Sequence, residues 1–183
     1  MAKELEVKVL DIDKDEIEER LKEIGAELIS REYQINTIFD TEDRVIKNKQ
    51  NGYLRIREKR DLDKGLVSYI FTLKRNISKD GVRENLEIET KVEKKEALTK
   101  ILESLNLKIV HEGTKERIKY KYEDIIFDID TWDKETYPYT YLEIEVKQKE
   151  DLQRAIKLLN LDENKVTIKS LAELRMELGL SDL

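Results

Sequence analysis

Lys3-Glu4-Leu5-Glu6-Val7-Lys8-Val9-Leu10-Asp11 alternates cleanly, with Leu5, Val7 and Val9 on one face and Glu4, Glu6 and Lys8 on the other. A period of two belongs to a β-strand, because successive side chains of an extended chain point to opposite sides. The same period recurs along the chain. Glu32–Phe39, Tyr53–Arg60, Val67–Arg75, Val82–Val92, Thr114–Tyr122, Ile125–Trp132 and Tyr141–Lys147 read as further strands, with turn signals at Asn51-Gly52 and Asp80-Gly81. Helical spacing replaces the period of two in four places. In Asp13–Gly25 the stripe is Ile17, Leu21 and Ile24, with Asp13 placed to cap and Gly25 to terminate. Lys94–Leu105 carries Leu98, Ile101, Leu102 and Leu105, and Asp151–Leu161 and Ser170–Leu178 form two last helices joined by a short polar link. About eight strands and four helices predict an α+β fold. A sheet of that size either exposes its edges or closes into a barrel, which has none.

No Ser/Pro-rich or low-complexity linker interrupts the 183 residues, so residues 1–183 read as one domain. Charged residues make up 42% and hydrophobic ones 39%. Thirty-five Lys and Arg against forty-one Asp and Glu leave a net charge of −6, which argues against a general nucleic-acid binder but leaves room for a local basic pocket. The absence of cysteine removes disulfides, thiolate metal sites and cysteine nucleophiles, and the single histidine, His111, removes histidine-rich metal sites. No apolar leader or long apolar run is present, so a soluble cytoplasmic protein without membrane association is expected. Chemistry is left to carboxylates, lysines, arginines, hydroxyls and an oxygen-ligated metal.

The charges on the strands are sorted by sign. Glu4/Glu6, Asp128/Asp130 and Glu143/Glu145 are acidic pairs spaced by two, and Arg55/Arg57 and Arg117/Lys119 are basic ones; Lys74, Arg83, Glu87 and Glu89 add to the set. One charged strand face is ordinarily just solvated. Seven strands with sorted signs are harder to explain that way, since like-charged neighbours repel and solubility favours mixing. Carboxylate clusters suit a hard divalent cation, and basic clusters suit an anion. If a barrel closed with these faces inward, its charges would need partners, and the interior would be a wet tunnel. Magnesium or manganese joining carboxylates to a polyphosphate, itself held by Arg and Lys, satisfies both halves.

Glu4-Leu5-Glu6-Val7-Lys8 resembles the Glu-x-Glu-x-Lys signature of the CYTH superfamily, the triphosphate tunnel metalloenzymes, at the position on the first strand where that family has it. The resemblance runs over nearly the whole chain. It includes Leu54-Arg55-Ile56-Arg57, Thr72-Leu73-Lys74, Arg83 with Glu87-x-Glu89, Arg117, Phe127-Asp128-Ile129-Asp130 and Leu142-Glu143-Ile144-Glu145. It implies an eight-stranded antiparallel closed β-barrel, a tunnel, with flanking helices, acting on a small-molecule triphosphate with Mg²⁺ or Mn²⁺. By the same resemblance, Glu4, Glu6, Asp130, Glu143 and Glu145 would bind metal. Glu87, Glu89 and Asp128 would orient basic residues or bind a second metal. Lys8, Arg55, Arg57, Lys74, Arg83, Arg117, Lys119 and Lys169 would hold phosphate, and Glu4, Glu6, Lys8 and Lys74 would form the catalytic core. Lys169 precedes a segment similar to the family's C-terminal Lys-Ser-Tyr-x-x-Leu, with Leu171 in place of the tyrosine.

Other residues read as ordinary. His111, beside Glu112-Gly113, is expected in a solvated loop, and Trp132 in plain packing, with stacking on a nucleobase as the other reading. Tyr137-Pro138-Tyr139 reads as a loop or rim, and the last helix either covers a tunnel end or packs outside it. Water attacking the terminal phosphorus would make the protein a triphosphatase for inorganic triphosphate, a nucleotide or thiamine triphosphate. A ribose 3′-hydroxyl attacking the α-phosphorus of ATP would make it a class IV adenylate cyclase. A non-catalytic polyphosphate- or nucleotide-binding module is the third reading; binding phosphate alone would need only the basic half of the pattern. A plain β-rich protein with decorated strands is the fourth. The oligomeric state is not written in the sequence.

Overall fold

A computed structural model describes residues 2–78 and 82–181, with residues 2–4 described by their backbone alone. The Asp80-Gly81 turn signal therefore lies outside the described residues, as does the Glu4 side chain. The strands are β1 (Ala2–Val9), β2 (Glu27–Asp40), β3 (Gly52–Asp61), β4 (Val67–Ser78), β5 (Arg83–Val92), β6 (Lys108–Tyr122), β7 (Ile125–Trp132), β8 (Tyr141–Val146) and the two-residue β9 (Val166–Thr167). The helices are α1 (Lys14–Glu23), α2 (Val45–Gln50), α3 (Lys95–Ser104), α4 (Lys149–Leu158) and α5 (Leu171–Glu177).

The order β5-β4-β3-β2-β6-β7-β8-β1 closes on itself through antiparallel pairing of β1 with β5, in which Glu6 faces Arg83. The result is an eight-stranded antiparallel barrel, to which β9 adds on β1 through Lys8 and Val9. β1 serves three neighbours: one edge pairs with β5 along Ala2–Glu6 and with β9 at Lys8 and Val9, while the other edge pairs with β8 along Leu5–Val9, Lys8 facing Glu143.

The hydrophobic core lies outside this barrel. Val7, Val9, Ile118, Tyr120, Phe127, Ile129, Leu142 and Ile144 form its apolar face, buried under Ile17 and Leu21 of α1 and Leu152, Ala155 and Ile156 of α4. A second cluster packs Leu102 of α3 and Ile46 of α2 onto Phe39, Leu54 and Ile56. Where the apolar faces lie under helices, the period of two directs the charged faces inward, and the ladder carries that orientation around the barrel. Local signals agree: Asp13 accepts hydrogen bonds from the N–H groups of Asp15 and Glu16 at 3.0 Å, and Ser170 with Glu173 forms a reciprocal cap on α5.

β2 starts at Glu27 rather than the expected Glu32, β9 stands in what was read as a polar link, and two further differences bear on the cavity. α2 occupies the connection where only Asn51-Gly52 was legible, and Asn51 (φ 49°) ends that helix rather than turning a hairpin. Gly52 then starts β3, where a Cβ would meet the Lys74 carbonyl oxygen at 2.2 Å, so glycine is required by the close approach of β4. β6 begins at Lys108, six residues before the expected Thr114, and carries His111 within the sheet opposite Ile38. His111 is thus a half-buried strand residue, not a solvated loop histidine. Among the described residues no helix is long and apolar enough to cross a membrane.

Candidate functional site

The inner faces enclose one cavity of about 410 Å³. Eleven Lys and Arg and seven Asp and Glu side chains line it among the described residues, so a protein of net charge −6 has concentrated cations inside itself. Glu6, Lys8, Arg55, Arg57, Lys74, Arg83, Glu87, Glu89, Arg117, Lys119, Glu143 and Glu145 all reach it. Asp128 and Asp130, 2% and 0% exposed, stand behind this lining. Lys169 stands apart: its side chain is exposed and paired with Glu177.

Most of the cations are held by acids. Lys74 Nζ lies 3.0 Å from Glu6 and 2.7 Å from Glu87, and Lys8 Nζ lies 3.1 Å from Glu143. Arg117 donates through Nε and Nη2 to the two Asp130 oxygens at 2.6 Å and pairs with Asp128 at 2.5 Å. Burial alone would raise the Asp130 and Glu143 carboxyls. Arg117 and Lys115 hold Asp130 below its ordinary value, and Lys8 and Arg117 hold Glu143 well below its own. Both stay ionised.

Arg55 and Arg57 are different. Among the described residues neither has a carboxylate within 4 Å. Arg55 makes only long bonds, 3.3 Å to the Tyr53 hydroxyl and 3.5 Å to Thr72, and its Nε is buried without a partner. Arg57 donates to Asn36 at 2.9 Å; burial first, then the charges of Arg55 and Arg117, press its pKa down to about 10, so it remains a cation at neutral pH. Two inward guanidiniums without counter-charge could hold an anion of several charges.

Glu145 is the acidic counterpart. It faces Glu6 directly across the β1–β8 ladder, and among the described residues it has neither a hydrogen bond nor an ion pair. Burial raises its pKa, with Asp128 and Glu143 adding to the shift against the pull of Lys119. Opposed carboxylates repel unless a cation or proton lies between them, so the donor set of Glu6 and Glu145 fits a hard divalent ion. No three acidic side chains among the described residues converge tightly enough to enclose an ion unaided.

The strongest functional candidate missed in the sequence is Lys115. It is 3% exposed, its Nζ lies 2.6 Å from Asp130 and 4.9 Å from the centre of the Trp132 ring, and it lines the cavity. Burial, then the charge of Arg117, outweighs Asp130 and brings its pKa down to about 7. The sequence signal was the Lys115-x-Arg117-x-Lys119 alternation, one step beyond the basic pair. The inner face of β2 was also missed: Glu32, Gln34 and Asn36 line the cavity opposite the β3 arginines and Lys59. At the end where β1, β2 and β7 finish, Ser170, Leu171 and Ala172 line the cavity, so the start of α5 covers that end. Tyr137 is 4% exposed and packs with Tyr141 and Leu174.

Comparison with known proteins agrees with this geometry. Residues 2–171 match the CYTH domain family. The chain is 34% identical over 94% of its length to 98% of a Methanocaldococcus jannaschii protein named "Putative adenylate cyclase MJ0240". It is similar in fold to the PH1819 protein of Pyrococcus horikoshii, with a TM-score of 0.78, 26% identity and coverage of 95% of this chain and 98% of that one. It is also similar in fold to the Hippeastrum "Putative adenylyl cyclase HpAC1", described by a dominant triphosphatase activity, with a TM-score of 0.69, 14% identity and coverage of 99% and 97%. The chain belongs to the CYTH family.

Proposed function

We propose that the protein is a divalent-metal-dependent triphosphatase that hydrolyses inorganic triphosphate or a small organic triphosphate inside the barrel. The observation that carries this reading is the buried pair Arg55 and Arg57 with no carboxylate partner, across the cavity from the unpaired Glu145. Anion and cation sites therefore share one cavity, as a metal–triphosphate complex requires. CYTH proteins are triphosphatases or adenylate cyclase-like enzymes that use divalent metals.

Glu6 and Glu145 would hold Mg²⁺ or Mn²⁺, with Glu143 and the Glu4 position beside them on the same strand faces. When bound, the ion supplies charge neutralisation and polarisation of phosphate oxygens. The chain's own groups supply the rest. Arg55 and Arg57 bind equatorial phosphate oxygens with fixed, multiply donating guanidiniums. Lys8, Lys74 and Arg117 arrive already oriented by Glu143, Glu6, Glu87 and Asp130, so little reorganisation is needed as charge moves toward the leaving oxygen. Asp128 and Asp130 position Lys115, Arg117 and Lys119. Lys115 Nζ is able to bind or release a proton near neutrality beside the phosphate chain.

Adenylate cyclase activity is the second reading, supported by the name of the Methanocaldococcus relative. Product analysis separates the two. Purified protein is given inorganic triphosphate, ATP and thiamine triphosphate with Mg²⁺ or Mn²⁺, and with EDTA as control. Metal-dependent phosphate release without cyclic AMP supports the triphosphatase. Cyclic AMP with pyrophosphate from ATP makes it a cyclase, and no turnover of any of the three overturns both.

A further inference from the structure

Glu32, Gln34 and Asn36 share the inner face of β2, spaced by two, and all three are buried on the wall of the cavity. Gln34 lies in the ladder between Lys59 of β3 and Lys115 of β6, and Asn36 between Arg57 and Gly113. An amide side chain carries donors at one end and an acceptor at the other, so either end can face a ligand. Here charged neighbours fix which end does.

Gln34 Nε2 donates to Glu32 Oε2 at 2.6 Å. Burial alone would raise the Glu32 carboxyl, but Lys59, 2.7 Å away, holds it below its ordinary value. It is ionised and can only accept, so the NH₂ of Gln34 faces it and the amide oxygen is the end left over. Asn36 is locked in the opposite sense. Arg57 Nε, which can only donate, gives a 2.9 Å hydrogen bond to Asn36 Oδ1, so here the NH₂ is the end left over. Gln34 Oε1 and Asn36 Nδ2 are both buried without a hydrogen-bond partner, in residues only 1% and 2% exposed. A free acceptor and a free donor thus stand two residues apart on one strand face.

A buried polar atom without a partner is costly, so each of these marks the place of a complementary atom when the cavity is filled. The donor suits a phosphate oxygen, the same kind of atom that Arg57 beside it suits. The acceptor does not. A fully ionised triphosphate offers oxygens and no hydrogens, and the lysines on either side of Gln34 are engaged, Lys59 with Glu32 and Lys115 with Asp130. The group that meets Gln34 Oε1 must bring its own O–H, and water is the smallest that does. In phosphoryl transfer, the side chain that orients an attacking water acts by placement, which an uncharged amide can do without changing its protonation.

We propose that Gln34 is a positioning residue for hydrolysis: its Oε1 accepts a hydrogen bond from the attacking water, while Asn36 Nδ2 and Arg57 hold oxygens of the terminal phosphoryl group that this water attacks. A lone pair of the water oxygen forms the new bond to phosphorus. The bond from that phosphorus to its bridging oxygen breaks, and its electron pair leaves with the diphosphate part. One water proton stays on the new phosphate and the other passes to solvent, so Gln34 gains and loses none. This rests on the triphosphatase reading above and adds to it the residue that places the nucleophile and the strand, β2, against which the terminal phosphoryl group lies.

The test measures kcat and KM with Mg²⁺ on whichever of inorganic triphosphate, ATP and thiamine triphosphate the native protein hydrolyses fastest, together with the affinity for inorganic imidotriphosphate. Native protein, Gln34→Met and Gln34→Glu are compared. Gln34→Met keeps the length of the side chain and loses the acceptor. Its kcat is expected to fall about 100-fold, the cost of a misplaced reacting group, with KM and imidotriphosphate affinity within about twofold of native. Gln34→Glu keeps an oxygen acceptor at the same reach and is expected to recover most of the loss. A purely structural role would lower affinity together with kcat and would not be relieved by glutamate. Native-like kcat in Gln34→Met, equal losses of kcat and of imidotriphosphate affinity, or Gln34→Glu no faster than Gln34→Met would each overturn the assignment. The triphosphatase reading would then stand on the turnover of the native protein. No metal-dependent phosphate release by the native protein from any of the three substrates would overturn both readings together.

Discussion

Lys115 is expected to couple triphosphate binding to a proton. Its pKa in the free protein is about 7, against 10.5 for an ordinary lysine, because burial and the nearby Arg117 and Arg57 outweigh Asp130. At pH 8, one unit above that value, only about a tenth of the molecules carry the charge. A phosphate charge about 4 Å from Nζ contributes ~4 kcal/mol at an effective dielectric constant near 20, equivalent to ~3 pKa units. The bound lysine is then protonated throughout the neutral range. Binding at pH 8 should draw about 0.9 proton onto this group and almost none at pH 6, and affinity should fall by up to tenfold per pH unit above 7.

Calorimetric titration with inorganic imidotriphosphate, in buffers of different ionisation enthalpy, reads the proton count directly. Lys115→Met is the control: it keeps a long unbranched side chain, lacks the titration, and cancels the ligand's own protons. Equal proton uptake by native protein and variant at pH 8 would refute the argument. The same shift acts on stability with a fixed sign. Between pH 7 and 10.5 the unfolded lysine holds a proton that the folded one does not, so the native fold gains stability as pH rises through that window. The full penalty of the buried charge applies below pH 7. Lys115→Met should therefore be stabilised over native protein below pH 7 in urea titrations, and the advantage should disappear by about pH 10.5.

Arg57→Ala should weaken triphosphate binding by about 10- to 100-fold, the loss of a charge-assisted hydrogen bond; unchanged affinity in a displacement assay would place Arg57 outside the phosphate site. Glu145→Gln should lower metal-dependent turnover by at least about a hundredfold, since loss of groups that merely support metal ligands already costs 10- to 100-fold. The glutamine variant should also fold at least as stably at neutral pH, because it removes a carboxyl whose pKa burial has raised; normal turnover would remove Glu145 from the metal set. Arg175→Ala should free the last turn of α5 from the 133–140 loop, because Arg175 donates to the carbonyls of Glu135, Thr136 and Ser181. The expected cost is ~3 kcal/mol of stability, with faster hydrogen exchange at residues 133–140; unchanged exchange there would show that the clamp does not hold the loop.

The barrel was legible because eight long strands keep a strict period of two and their charges are sorted by sign. Ile125–Trp132 shows this well: an apolar face of Ile125, Phe127 and Ile129 under the helices leaves Asp128 and Asp130 with only one direction to point. α2 was not legible, since six residues hold under two turns and give no periodicity to read; its boundaries are set by the left-handed residues Arg44 and Asn51 and by the Asp40 carboxylate beneath it. The early part of β6 was hidden by Gly113, which looks like a strand breaker but is needed for His111 and Thr136 to meet. The inner face of β2 escaped for another reason: Gln34 and Asn36 carry no charge, so only Glu32 takes part in the sorting by sign, whereas Lys115 continues the Arg117/Lys119 alternation and was visible in it.

The aspartates and glutamates of the site divide by reach, and that division explains how one barrel can be both stable and receptive. Asp128 and Asp130 have the shorter side chain, stay near the wall, and are ion-paired with Arg117, Lys115 and Lys119 at 2.5 to 3.0 Å. They fix cations in place without presenting themselves to the cavity. Glu6, Glu143 and Glu145 stand on neighbouring strands, one methylene longer, and line the cavity itself. Glu143 is spent on Lys8 and Arg117, Glu6 is shared with Lys74, and Glu145 is left unpaired. Pairing every charge would give a more stable barrel with no affinity for a ligand. Leaving Glu145 short of a cation and Arg55 and Arg57 short of an anion leaves unsatisfied charge of both signs on the lining, and a metal–triphosphate complex would satisfy both at once.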